Sequence, residues 1–389
     1  MPPKLVGEDM VAIYIIWFCI GLIAASYLGY PVAIALLAKL FRKPYLKSRI
    51  EPRVTLVIPA HDEQKIIDAK IKNTLSLEYP EEKLEILLVL DGCTDGTKDI
   101  VARFRDQRLK VVEQDPRKGK MAALNLAVSL AKGEIIVFSD ANSLYDNDAV
   151  IKLVRNFVDE KIGCVCGELK YRNESLMGEG EDLYWKYEKF IKEKESLLQS
   201  LLVVNGSIYA IRKKLFEPVE ETLADDFVVP MILARKGYGL VYEPEAVTSE
   251  KTAENTREGV NQKARIIAQG LKASFAIGPI ILSSGPLRVF QFIFHKFVRW
   301  LVPVLLAITF IANAIAFKYP FYRELFLCQI LFYVSAAAGY ILEENKIKIR
   351  ILKIPLYFCI VNLASAIGLL RFMTGGIKAT WEKAETTRG

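Results

Sequence analysis

Histidine is nearly missing from this chain: His61 and His295 are the two found in 389 residues. A zinc centre built from His and Cys needs a closely spaced set of such ligands, so that chemistry is not expected. The six cysteines make no disulfide framework. Cys19, Cys328 and Cys359 lie in apolar runs, Cys164 and Cys166 alternate within "IGCVCGEL", and Cys93 falls in a loop. A cytosolic setting for the charged middle of the chain would keep such thiols reduced. No G-x-G-x-x-G follows the first β-rich run, which removes the signature of a dinucleotide-binding fold. Internal repeats and low-complexity linkers are absent too.

What is present divides the chain. It is 52% hydrophobic with a mean hydropathy of +0.22, yet 25% charged. Both figures hold only if a membrane part and a soluble part share one chain. Residues 11–38 carry no charge, a run longer than the ~20 residues that cross a bilayer and too long for a signal-peptide core. Three further apolar runs, 300–317, 325–342 and 354–370, close the chain. The basic stretches "KLFRKPYLKSR" (39–49) and "ENKIKIRILK" (344–353) mark the inner side, against Lys4 alone before the first span. This places the N-terminus outside and residues 39–296 inside, at the plasma (inner) membrane. The tail "KATWEKAETTRG" is then left outside, unless 354–370 is re-entrant or interfacial. The expected organisation is a span and basic linker (1–50), a soluble domain (51–260), interfacial amphipathic helices (261–299), closing spans (300–374) and a charged tail (375–389). The formal charge of +7 sits beside the spans, where basic residues meet anionic lipid; nucleic acid is not an expected partner.

The middle alternates β-rich and helical stretches. "VTLVIPA" (54–60), "LEILLVLD" (84–91), "LKVVEQ" (109–114) and "EIIVFSD" (134–140) read as strands. "KIIDAKIKNTLSL" (65–77), "TDGTKDIVARFRD" (94–106) and "GKMAALNLAVSLA" (119–131) read as helices, the second with Thr94 and Asp95 placed to cap it. Most of these strands are continuously apolar, which predicts an α/β fold with the sheet buried on both faces. In such folds the ligand lies beyond the carboxyl ends of the strands. There the sequence reads "PAHDE", "DGCTDGT" and "SDAN". Asp140 and Asn142 offer oxygen ligands suited to Mg²⁺ or Mn²⁺, which could hold a diphosphate. Taken singly, each of these aspartates is as well explained as a turn former or helix cap. The same two readings hold for "LADDF" before the helix "FVVPMILARKGY", and Asp225 is the candidate cap.

The order of the motifs carries more than any one of them. "PAHDE", "LDGCTDGT", "RKGKMAALN", "FSDAN", "NGSIYAIRKKLF", "LADDFVVPM" and "NQKARI" resemble, in sequence, those of membrane-bound family 2 glycosyltransferases, the group that includes cellulose, chitin and hyaluronan synthases. The resemblance covers about residues 54–300. It implies a GT-A fold, a Rossmann-like mixed sheet with helices on both faces, plus transmembrane and interfacial helices. It implies an inverting, metal-dependent transfer from a nucleotide sugar, UDP-linked by this resemblance, to a lipid-linked or oligosaccharide acceptor. By position, Pro59, Ala60, His61 and Glu63 line the nucleoside pocket, with Asp62 where Asn is usual, and Asp91 binds the base. Lys120 is the donor-site lysine. Asp140 and Asn142 form the metal motif, with Asn in place of its second Asp. Asp226 is the general base, with Asp225 beside it. Gln262 and Arg265 face the donor, and Ile266 stands where the polymer synthases carry Trp. Asn205, Gly206 and Ser207 lie where the acceptor approaches. Trp185, in the amphipathic helix 179–196, either presents an aromatic platform to that acceptor or packs. Residues 285–300 read as a helix lying in the interface, and the spans as carrying no buried ion pair, only scattered Asn313, Gln329 and Asn362. A non-catalytic scaffold and, more remotely, a transporter are the competing readings.

Overall fold

The computed structural model describes residues 7–172, 178–251, 256–345, 347 and 349–376. Lys4 and most of the charged tail, 377–389, lie outside the described residues. One mixed sheet of eight strands organises the middle of the chain: β1 (Val54–Ala60), β2 (Leu84–Asp91), β3 (Leu109–Gln114), β4 (Ile135–Phe138), β5 (Leu144–Tyr145), β6 (Ile162–Tyr171), β7 (Tyr209–Arg212) and β8 (Gly239–Glu250). Their spatial order is β3-β2-β1-β4-β7-β6-β8-β5. The first four are parallel, β7 runs against both β4 and β6, and β8 is parallel to β6.

Continuous apolarity in β1 and β2 follows from cover on both faces. Val57, Leu87, Val89, Ile136 and Phe138 pack with Leu124, Tyr209 and Phe227 on one side. Leu56, Ile58, Leu88 and Val137 pack with Ile67, Ile71 and Val150 on the other. Successive strand residues thus feed opposite cores, as the two-residue period requires. Edge strand β3 is the exception, half exposed along its length.

Helices form where expected, with shorter limits: Ile67–Leu75, Thr97–Val101 and Lys120–Leu130. The second is cut most. Asp106 accepts hydrogen bonds from the Arg108 backbone and guanidinium, which turns the chain into β3 where the helix would have continued. Asp95 does accept the Thr97 N–H at 3.0 Å, while Thr94 instead donates to Asp62.

Four helical segments are long and apolar enough to cross a membrane: Asp9–Leu40, Pro286–Lys318, Pro320–Glu343 and Arg350–Met373. The last, over the run 354–370, is thus long and apolar enough to span. Residues 285–300 do not form a separate helix. From Pro286 the helix runs through a π-turn at Phe292–Phe297 into Val298–Ile315, so this amphipathic stretch is the continuation of the second span. At the ends of the first two spans, half-exposed Lys318 meets buried Asp9 at 2.6 Å, and Tyr319 donates to the same carboxylate.

Candidate active site

Strand direction gathers the polar residues. β1, β2, β4 and β8 all point their carboxyl ends at one edge of the sheet, while β7, running the other way, brings its start there. That edge therefore receives Pro59, Asp140, Glu250 and the Asn205–Ser207 stretch. Beyond it lies a cavity of about 840 Å³, closed on the far side by the Gly178–Leu197 and Thr256–Ala276 helices and the foot of the second span.

The centre of the cavity is one cation among carboxylates. Lys120 Nζ lies 2.8 Å from Asp140 and 3.2 Å from Asp225. Burial alone would push the Lys120 ammonium down, but Asp140, Asp225 and Asp226 more than offset this and hold it well above the usual lysine range. Asp225 also accepts from the Tyr209 hydroxyl at 3.0 Å. Neither Asp225 nor Asp226 caps the helix Asp225–Arg235: Ala224 holds that position, without a side-chain cap bond. Asp226 is the odd member. Burial, then the neighbouring Asp225 carboxylate, push it up to about 6 against the pull of Lys120. A carboxylate that releases its proton near neutrality suits general-base work. Gly206 permits this crowding, since a Cβ there would stand 3.3 Å from Lys120 Nζ and 3.6 Å from Asp226 Cβ.

Asp140 and Asn142 share the rim. The Asn142 amide nitrogen lies 3.4 Å from Glu250 Oε2, which leaves the carboxamide oxygen as its ligand atom, and Ser143 donates to Glu250 Oε1 at 2.5 Å. Hard oxygen donors beside a cleft fit Mg²⁺ or Mn²⁺. Burial and the Asp140 carboxylate both push the Glu250 carboxyl up. The loop is held from behind by fully buried Lys70, which donates to Ser139 Oγ and the Ser143 carbonyl. Burial pushes that ammonium down to about 7.

The loops after β1 and β2 interlock. Asp62 takes the left-handed conformation at φ 50°, which Asn and Asp tolerate better than most residues, and its carboxylate accepts the Thr94 and Asp95 N–H groups. Asp91 is buried; it accepts from Gln114 Nε2 at 2.7 Å and from the Lys118 and Gly119 N–H groups at 2.8 Å each. Its visible work is thus to fix the turn, with Gly119 at φ 101°, that launches the helix bearing Lys120. His61 Nδ1 lies 2.7 Å from the Asp91 carbonyl. His61, Asp62 and Cys93 also come within 4.8 Å of one another, a proximity that the spacing in sequence does not show.

On the membrane side a buried polar joint backs the cavity. Tyr30, from the first span, donates to Glu195 at 2.5 Å; His295 lies between Glu195 (2.8 Å) and Glu188 (3.1 Å); Arg299 donates to Glu188 at 2.5 Å. Burial would raise the Glu188 carboxyl, yet Arg299 and His295 hold it well below the usual range. In front of this joint, Lys192 donates to Asn205 Oδ1 at 2.5 Å and Lys296 lies 4.0 Å from Glu188. Trp185 packs on Tyr171 with ring centroids 5.2 Å apart. Its buried indole N–H has no hydrogen-bond partner among the described residues.

Of the residues expected from sequence, Pro59, Glu63, Lys120, Asp140, Asn142, Trp185, Asn205, Gly206, Ser207, Asp225, Asp226, Gln262 and Arg265 all face this cavity. Among the described wall residues, Ala60, His61 and Asp91 do not appear. Ile266 is on the wall and half exposed. Sequence reasoning missed Glu250, Lys192, His295 and Lys296. Glu250 carries the same signal as Asp140, an acid ending an apolar strand, once β8 is recognised.

Residues 55–219 match the model of glycosyl transferase family 2. A probable glycosyltransferase, YdaM, of Bacillus subtilis (strain 168) is 29% identical over 240 residues, covering 55% of this chain and 54% of that protein. A poly-beta-1,6-N-acetyl-D-glucosamine synthase of Staphylococcus epidermidis is 27% identical over 202 residues, 50% and 48% of the two chains. The chain thus matches about half the length of these curated relatives. The mannosyltransferase PcManGT of Pyrobaculum calidifontis, solved in complex with GDP-Man and Mn²⁺, superposes with a TM-score of 0.67 at 22% identity, covering 94% of this chain and 99% of that one. That likeness establishes the fold, GT-A with attached apolar helices.

Proposed function

From the glycosyl transferase family 2 domain that residues 55–219 form, we infer that this chain is an inverting glycosyltransferase. It moves a sugar from a nucleotide donor, UDP-linked by resemblance, to a lipid-linked or saccharide acceptor, in polysaccharide or glycoconjugate synthesis. The observation that carries this is Asp226: a half-buried carboxyl pushed up to about 6 by burial and by Asp225, on the cavity wall with Lys120, Asp140 and Asp225 and next to Gly206. The acceptor hydroxyl attacks the anomeric carbon as the bond to the diphosphate breaks, and Asp226 takes the proton. A single displacement needs no second carboxylate as nucleophile, in contrast with retaining hydrolysis, so the anomeric configuration inverts. Lys120, paired with Asp140 and Asp225, orients the donor. A divalent ion held by Asp140 and Asn142 would neutralise the diphosphate leaving group. Donor contacts are assigned to the wall residues Pro59, Glu63, Gln262 and Arg265, and by resemblance to Ala60 and His61 beside that wall. Asp91 reaches the base only through the oxygen lone pairs its loop leaves over.

The acceptor is placed against Asn205–Ser207, under Trp185. The unpartnered indole N–H and the cations Lys192 and Lys296 on the membrane side support a polar acceptor group presented from the bilayer. The catalytic domain is assigned to the cytoplasmic face of the inner membrane, on the basic loops beside the spans.

The test is nucleotide release by the detergent-purified protein from a panel of UDP-sugars and GDP-mannose, with Mn²⁺, Mg²⁺ or EDTA. Metal-dependent release from one donor, lost in Asp226→Asn, is expected. Recovery of a product that retains the donor's configuration would rule out inversion. Asn142 and Ile266 favour one rival, a non-catalytic accessory subunit. Failure to bind any nucleotide sugar by calorimetry would select it.

A further inference from the structure

The metal motif of this chain is a carboxylate short, because Asn142 holds the position where resemblance expects a second Asp. We propose that Glu250, at the carboxyl end of β8, supplies the missing carboxylate and ligates the divalent ion together with Asp140 and Asn142. This rests on the metal-dependent reading above.

Topology makes the pairing possible. β8 points the same way as β4, so both strand ends reach the same sheet edge. β5 then pairs antiparallel with β8, with Leu144 opposite Ser249 and Tyr145 opposite Thr248. That register leaves Ser143 and Asn142 beside Glu250, and the side chains meet there: Ser143 Oγ to Glu250 Oε1 at 2.5 Å, Asn142 Nδ2 to Glu250 Oε2 at 3.4 Å. Glu250 lines the same cavity as Asp140 and Asn142. Ser207, also on that wall and 4% exposed, has a hydroxyl without a hydrogen-bond partner among the described residues. A carboxylate, a carboxamide, a second carboxylate and an unsatisfied hydroxyl thus converge. Such a set of oxygen donors is what a hard dication takes.

The register also explains why a carboxamide suffices at 142. Glu250 hydrogen-bonds to the amide nitrogen and orients its oxygen. An Asp at 142 would put a third carboxylate against Glu250.

Mn²⁺ binding to EDTA-stripped, detergent-purified protein, measured by calorimetry and by the electron paramagnetic resonance of free Mn²⁺ with UDP or GDP present, tests this without turnover. Glu250→Gln is expected to weaken Mn²⁺ binding about tenfold or more, with thermal unfolding recorded on the same sample. An unchanged affinity overturns the proposal and leaves the metal reading standing. Absence of Mn²⁺ binding by the unaltered protein overturns both. The double variant Asn142→Asp/Glu250→Gln keeps the amide–carboxylate pair with roles exchanged, and decides the matter even if Glu250→Gln fails to fold. If Glu250 is a ligand, the double variant binds like the unaltered protein. If it is not, the double variant binds as tightly as Asn142→Asp alone, tighter than the unaltered protein, and the proposal is wrong.

Discussion

Replacing Asp226 by Asn should kill transfer and stabilise the fold at once. The Asp226 carboxyl is raised from 3.8 to about 6 by burial and by Asp225. A carboxyl whose folded pKa is raised holds its proton more tightly in the folded state. Stability is therefore greatest below the unfolded pKa and is lost as pH rises from about 4 through about 6. Above that window the buried charge costs about 3 kcal/mol, from roughly two pKa units at 1.36 kcal/mol each. Asn is close to the protonated carboxyl in shape and carries no charge, so Asp226→Asn removes this cost. At pH 7.5 the metal-free variant should unfold later than the unaltered protein, by up to about 3 kcal/mol. At pH 3.5, below the unfolded value, the two should nearly coincide. Nucleotide release should be lost at every pH, whereas in the unaltered protein it should fall as pH drops through about 6. The assays are thermal unfolding in detergent at both pH values and nucleotide release from the active donor. A variant less stable at pH 7.5, or equally shifted at both pH values, would refute the assignment of Asp226 as a destabilised base.

Three further outcomes are expected. Gly206→Ala introduces a methyl 3.3 Å from Lys120 Nζ, at a backbone that is not left-handed. It should lower kcat about tenfold to a hundredfold through displaced charge while the unfolding midpoint barely moves. Lys120→Met leaves partly exposed Asp140 and buried Asp225 without their cation. Donor turnover should fall at least about a hundredfold, as for loss of a transition-state charge partner, and the acid limb of the remaining pH profile should move upward. Arg299→Met strands Glu188 in the polar joint and should cost about 3–5 kcal/mol in the unfolding equilibrium. The double change Arg299→Met/Glu188→Met should recover much of that loss.

The parts of this fold that were legible in sequence are those coded locally. Continuous apolar strands at 54–60 and 84–91 needed cover on both faces, and the acids closing "VLD" and "FSD" marked the working edge. Uncharged runs announced the spans. What escaped depends on partners far apart in the chain. Glu188 and Arg299 are 111 positions apart, and a charged helix such as 179–196 reads as solvated until its neighbour is known. Likewise Lys318 and Asp9 meet across most of the chain's length, so each looks like a flanking charge. Asp91 illustrates a different limit: the motif was visible, but the three donors that engage its oxygens belong to a turn whose path no spacing reveals. The 94–106 helix stopped early because Asp106 and Arg108 form a local turn that competes with helical propensity.

The polar joint has a mechanical consequence. Lys296, on the cavity wall, and Trp300, where the uncharged run begins, belong to one unbroken helical run, and four residues of helix span only about 6 Å. With Tyr30 bolting the first span to the same helix pair, the height of the reacting centre above the lipid is set by rigid rods rather than by a tether. An acceptor anchored in the bilayer would arrive at a fixed depth, with its reactive group already near Asp226. One diffusing in from the water would meet a cavity whose wall includes His295, Lys296 and Arg371 of the apolar helices. On the proposed reading, the bilayer surface would act as a gauge block for the site. Cutting the catalytic domain free of its spans would remove a wall of the active site along with the anchor.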